Sequence, residues 1–147
     1  MTYQKRSLWI RLLAVCLLVI LLVPIQVMAV EPRASYYLTS YNSYLYAAGS
    51  GKVQAWFTVT GVNYMDDIGA LTIRIYESED NSTWTWVKTY RHTEYPSMLG
   101  HDDYYHSGYV EYQGVKGRYY KAYVTIWAGK DDGGDTRYMW TDVQKAT

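Results

Sequence analysis

The sequence predicts an all-β fold, a single β-sandwich of about seven antiparallel strands. Three observations carry that prediction. Beyond an apolar N-terminal segment, polar and apolar residues alternate over short runs and no helical period emerges. Clusters of Gly, Asp, Asn and Ser punctuate the runs at regular spacing. Aromatic residues that favour strands are frequent, with 18 tyrosines and six tryptophans in 147 residues.

The N-terminal segment reads as a cleaved signal peptide, residues 1–29. Lys5, Arg6 and Arg11 are its basic start, "LLAVCLLVILLV" from Leu12 to Val23 its apolar run, and Pro24 the break. "VMA" at Val27 to Ala29 supplies small residues for cleavage after Ala29. The alternative is a retained anchor. The run is short against the ~20 apolar residues of a membrane span, although it extends toward Val30. Cys16 lies inside the run, where a lipid-carrying cysteine would end it. The expected product is residues 30–147, one secreted extracellular domain without a cysteine. Its stability must then come from packing and hydrogen bonds.

The elements follow in order. "SYYLTSYNSYLYAAG" (35–49) reads as one or two short strands. "KVQAWFTVTGV" (52–62) turns Val53, Ala55, Phe57 and Val59 inward and Gln54, Trp56, Thr58 and Thr60 outward. "NYMDDIG" (63–69) has loop composition. "ALTIRIYESE" (70–79) turns Leu71, Ile73 and Ile75 inward and Thr72, Arg74 and Tyr76 outward. "DNS" (80–82) is a turn, and "TWTWVKTYRHTEY" (83–95) is the returning strand. "PSMLGHDD" (96–103) reads as a loop, "YYHSGYVEY" (104–112) as a strand and "QGVKG" as a turn. "RYYKAYVTIWAG" (118–129) turns Tyr120, Ala122, Val124 and Ile126 inward and Tyr119, Lys121, Tyr123, Thr125 and Trp127 outward. "KDDGGD" (130–135) is a hairpin loop and "TRYMWTDV" (136–143) the last strand.

"GVKGRYYKAYV" resembles the sixth strand of immunoglobulin- and fibronectin-type sandwiches, where a tyrosine bonds back to the preceding corner. Tyr120 has the parity for that role; the plainer reading is one more strand tyrosine. Taken whole, the chain resembles an uncharacterised family of small secreted proteins of Gram-positive bacteria. "YYLTSYNSYLYAAGSGKVQAWFTVTG", "DNSTWTWVKTY", "YYHSGYVEYQG" and "GRYYKAYVTIWAGK" carry the resemblance. It implies secretion and a compact β domain, and it assigns no catalytic residue.

Charge narrows the partners. Three of the 14 basic residues lie in the signal, so 11 remain against 14 acidic residues, a net charge of −3. That disfavours nucleic acid. No nucleophile elbow, zinc-protease motif or phosphate loop is present, so no enzyme is expected. "GHDDYYHSGYVEYQG" (100–114) concentrates His101, Asp102, Asp103 and His106, with His92 and Glu94 within reach of a neighbouring strand. It lacks the His-x-His spacing that puts two ligands on one strand face. Asp131, Asp132 and Asp135 offer calcium oxygens without the EF-hand spacing, and "MDD" (65–67) would share an ion with them from the same end of the sandwich. Turn chemistry is the plainer reading, and no cofactor is expected. "NST" (81–83) matches a glycosylation sequon and, in a bacterial product, is only a turn.

The outward aromatics are the functional signal. Strands 70–79, 118–129 and 136–143 are expected in one sheet. Its outer face would show Tyr76, Tyr119, Tyr123 and Trp127 with Arg74 and Lys121 among them. The last strand adds Tyr138 and Trp140 or Arg137 and Met139, depending on register. Such a face suits a non-catalytic binding module for an extracellular glycan or protein. Cross-strand pairs that only stabilise the sheet are the structural alternative. A secreted self-assembling or bacteriocin-like factor is the other functional class.

Overall fold

The computed structural model describes residues 35–147. The expected signal peptide, residues 1–29, lies outside the described residues. Seven strands form: β1 Leu38–Gly49, β2 Lys52–Ser78, β3 Thr85–Arg91, β4 Leu99–Gln113, β5 Tyr119–Lys130, β6 Gly133–Trp140 and β7 Gln144–Lys145. A 3-10 turn, Pro96–Met98, leads into β4. Every pairing is antiparallel. Among the described residues no helix is long and apolar enough to cross a membrane.

The strands make one hydrogen-bonded sheet that curls into a half-barrel, where a sandwich of two packed sheets was expected. The cause is β2. Its 27 residues span two predicted strands and the predicted loop 63–69. The first half of β2 lies between β1 and β4, and the second between β3 and β5. "NYMDDIG" has turn composition, yet Asp67, Ile68 and Gly69 pair with β4 on one side and β5 on the other. Thr60 pairs with Tyr105 and Met65 with Asp103, so residues 61–64 bulge out opposite Tyr104. A bulge bends a strand and sharpens its twist, which lets one strand serve both halves of a curled sheet. A second shift falls between Ala70 and Thr72. It buries Ala70 and Ile73 and leaves Leu71 half-buried, where strict alternation put Leu71 inward.

The backbone crowds most closely at Gly69. Its φ is 148°, in the half of the map that residues with a Cβ avoid. A Cβ there would lie 2.2 Å from the Met98 carbonyl oxygen.

The concave side holds one core. Val53, Ala55, Phe57 and Val59 come from the first half of β2 and Ile73 and Ile75 from the second. β5 adds Tyr120, Ala122, Val124 and Ile126. All ten are fully buried, on the faces that alternation assigned. Burying each larger side chain contributes about 1.5–3 kcal/mol.

Other boundaries also move. β4 begins at Leu99, inside the predicted loop 96–103, and accommodates Asp102 at a φ of 51°. The returning strand 83–95 shortens to β3. Only Asp131 and Asp132 form the turn predicted at 130–135, because Gly133, Gly134 and Asp135 already belong to β6. β6 ends at Trp140, and Thr141 turns inward to accept the Ala122 amide at 2.9 Å. The turn after β2 is held by Asp80. Its carboxylate accepts the Ser82 hydroxyl, the Thr83 and Ser82 amides and the Ser78 hydroxyl, which keep it well below the usual carboxylate range.

Candidate functional site

Register fixes the outer face of the β3–β2–β5–β6 half. Trp86 of β3 lies opposite Tyr76 of β2, which lies opposite Lys121 of β5. One step along, Thr89, Arg74, Tyr123 and Trp140 form a row across four strands. The next row is Arg91, Thr72, Thr125 and Tyr138. Tyr138 and Trp140 therefore take the outward positions of β6, while Met139 packs against the core.

The rings form a connected band. Trp140 lies 5.2 Å from Tyr76 and 4.8 Å from Tyr123, both tilted, and Tyr123 stacks against Tyr138 at 6.2 Å. The Lys121 amine sits between Trp84 and Trp140, 4.3 and 4.6 Å from the ring centres. Such contacts contribute about 0.5–1 kcal/mol each at exposed sites and hold the cation in place. The rings most open to solvent belong to the flanking strands: Tyr138 at 63%, Trp86 at 58% and Trp140 at 49%.

The six residues singled out in the sequence all lie on this half of the sheet, in two different situations. Arg74, Tyr76, Lys121 and Tyr123 are brought together in neighbouring rows. Tyr119 stands at one end, opposite Ser78 and Lys145, with the Lys145 amine 5.1 Å from its ring centre. Trp127 stands at the other end, half-buried, opposite Gly69 and Thr136. Its indole lies over Gly129 and Gly134, where added Cβ atoms would approach to 2.5 and 2.3 Å. Those glycines make a bed for the ring. Trp127→Ala is therefore expected to lower stability by about 2 kcal/mol, and Trp140→Ala by less than about 1 kcal/mol. Urea denaturation midpoints check the contrast, and equal losses would contradict it.

Sequence reasoning missed Trp84, Trp86, Thr89 and Arg91. The run 83–95 shows no single outward face in sequence, because Val87 is an extra residue between Trp86 opposite Tyr76 and Lys88 opposite Ile75 and breaks the alternation. It also missed a second aromatic row on the other half of the sheet. Tyr44, Trp56 and Tyr109 lie opposite one another on β1, β2 and β4. Their rings stack at 6.1 and 4.5 Å with interplanar angles of 1° and 26°. Trp56 donates to Gln54 at 3.1 Å, and Gln54 donates to Glu111, which also pairs with Lys52 at 2.9 Å. The stacking suits cross-strand stabilisation, although Tyr44 and Tyr109 are also exposed to solvent.

The histidines and aspartates are dispersed. His101 pairs with Asp67 at 2.6 Å. His106 donates through Nε2 to the Ser97 carbonyl at 2.9 Å, its ring against Phe57. Asp131 and Asp132 are exposed at their turn. The two acidic segments do meet, through the Asp131 amide, which donates to Asp66 at 2.7 Å. Asp135 is turned elsewhere: the Ser35 hydroxyl and Tyr37 amide bond to its carboxylate and hold it below its ordinary range. Among the described residues no three His, Asp or Glu side chains converge to hold a metal ion.

A polar cleft of about 330 Å³ lies beyond the ends of β2 and β5, lined by Glu77, Glu79, Asp80 and Arg118 among others. Arg118 bridges Glu77 and Glu79, and the Tyr120 hydroxyl donates to Glu77.

No family model matches the chain, and no curated protein matches it. Two solved structures are similar to it. Spo0M, the sporulation control protein of Bacillus subtilis, gives a TM-score of 0.39 at 12% identity, covering 69% of this chain and 47% of that one. A family 76 glycoside hydrolase from a bovine Bacteroides thetaiotaomicron strain gives 0.31 at 14% identity, covering 71% and 20%. The chain spans less than half the length of either.

Proposed function

We propose that the chain is a secreted, non-catalytic binding module that holds a cell-surface glycan or protein on the outer face of its β3–β2–β5–β6 half. The observation that supports it best is the connected band Tyr76–Trp140–Tyr123–Tyr138, with Lys121 held among its rings. Rings tilted at 51° and 58° leave parts of their π faces free, and phenol and indole groups supply hydrogen bonds. The C–H faces of sugar rings suit that combination. Rigid aromatic anchors also suit a protein partner. An immunoglobulin- or fibronectin-like arrangement of the strands belongs to the same proposal. Its support is the Tyr120 hydroxyl, which accepts the Val115 amide at 2.7 Å, five residues upstream.

The test is an array of glycans and cell-wall polysaccharides probed with the protein and with Tyr123→Ala and Trp140→Ala. Both variants are expected to bind a retained glycan at least tenfold more weakly, with unchanged circular dichroism. Undiminished binding by both would sink the assignment of this face. Sedimentation of the protein alone separates the alternative, a self-assembling factor, which predicts a mass that grows with concentration.

A further inference from the structure

The cations of this face are arranged in a line. Arg91 of β3 lies at the level of Thr72, Arg74 of β2 lies two residues along, and Lys121 of β5 lies opposite Tyr76, two residues further. Each step crosses one strand and advances two residues, a diagonal spacing of about 7–8 Å. The line runs straight across three strands.

The strand segments that carry it hold no counter-charge of their own. The segments 72–76, 86–91, 121–125 and 138–140 contain no aspartate or glutamate, although acidic residues outnumber basic ones among residues 30–147. Neither arginine enters an ion pair among the described residues, whereas Arg118 and Arg137 both do. Neighbouring like charges on a sheet are destabilising, so an uncompensated row carries a folding cost that an external anion would relieve. Between β2 and β3 there is also a place for that anion. Arg74, Tyr76, Trp86, Thr89 and Arg91 line a recess of about 270 Å³. The Trp86 indole is held along one side of it by a 3.0 Å bond to Thr89. Two guanidiniums beside two rings match an acidic sugar, with the ring stacked and the carboxylate or sulfate in the arginine forks.

We propose that the row Arg91–Arg74–Lys121 binds an anionic glycan chain, with one acidic group in the recess between β2 and β3. This rests on the binding reading above and names the class of glycan. A chain with an acid on successive sugars would meet successive cations, and an uncharged chain would gain only the aromatic stacking.

Calorimetric titration of the protein with polygalacturonate, its fully methyl-esterified uncharged form and dextran sulfate tests it. Binding to polygalacturonate or dextran sulfate is expected to exceed that to the esterified polymer at least tenfold and to weaken with added salt. Arg74→Gln with Arg91→Gln is expected to remove at least tenfold of the anionic affinity with a thermal midpoint that is not lowered. Lys116→Gln, an exposed cation in the turn before β5, is expected to leave it unchanged. Equal binding of the charged and esterified polymers overturns the proposal. So does full affinity in the double arginine variant. If the esterified polymer binds and only Tyr123→Ala and Trp140→Ala weaken it, the binding function stands and the anionic assignment falls. If no glycan binds, both fall. Preference for duplex DNA or for phosphatidylglycerol vesicles over all three polymers also overturns the glycan assignment.

Discussion

Gly69→Ala is expected to destabilise the protein by about 3–5 kcal/mol, a large share of the ~5–15 kcal/mol typical of a domain. Two costs combine. The backbone at φ 148° is one that alanine adopts only with strain, about 1–3 kcal/mol. The new methyl would also meet the Met98 carbonyl oxygen at 2.2 Å, with the Leu99 Cα and the His106 ring close behind, at 3.1 Å each. Backbone on either side has little room to shift, because Gly69 pairs with Leu99 in β4 and Trp127 in β5. Gly117→Ala is the control. It has a positive φ of 87° and open space around its Cβ position, so only the conformational cost, about 1–2 kcal/mol, applies. Urea midpoints compare the two, and an equal loss at both sites would show that the close approach at Gly69 is absent.

Tyr120→Ala is expected to cost about 3–5 kcal/mol, and Tyr120→Phe about 1–3 kcal/mol. Tyr120 is among the largest of the fully buried side chains. Its hydroxyl accepts the Val115 amide and donates to Glu77, whose carboxylate also meets Arg118. Alanine empties a ring-sized space, while phenylalanine keeps the packing and strands the amide. The same burial, with the Glu77 bond second, pushes the Tyr120 phenol up to about 12. Burial likewise raises Tyr90 to about 12; its hydroxyl donates to the Glu111 carbonyl at 2.6 Å. In the unfolded chain a phenol titrates near ~10. The folded values lie above that, so the stabilisation is complete below about pH 10 and is lost as pH rises toward 12. Thermal midpoints are expected to fall across that window, and less steeply in Tyr120→Phe.

Alternation carried a great deal. Where a strand is buried on one face only and its pairing is regular, parity alone located the inward residues, as with Val53 to Val59 and Tyr120 to Ile126. It failed wherever an extra residue enters a ladder. The bulge at 61–64 breaks the alternation in the middle of β2, and Asn63, Asp66, Asp67 and Gly69 give the stretch after Val62 the composition of a loop. The shift at Ile75/Tyr76 hid the outward face of β3, and with it Arg91, one of the three cations of the row. Composition cannot reveal a strand that bends, because the bend is bought with backbone geometry. The aromatic band was legible as a list of rings, and the pairing register was needed to show which of them touch. Trp127 shows the difference: its parity matches Tyr123, but Gly129 and Gly134 draw its ring down onto the sheet.

β2 has a further consequence, for the order in which the fold can be made. Synthesis runs from the N-terminus, so β2 exists before β3, β4 and β5, which between them cover most of its two edges. Lys52 waits for Gln113 and Asp67 for Gly129, each about 60 residues away, and such distant pairings make folding slow. Until they arrive, β2 presents bare amides and carbonyls to any other strand nearby. The element that unites the finished sheet is thus the nascent chain's point of greatest exposure to misassembly.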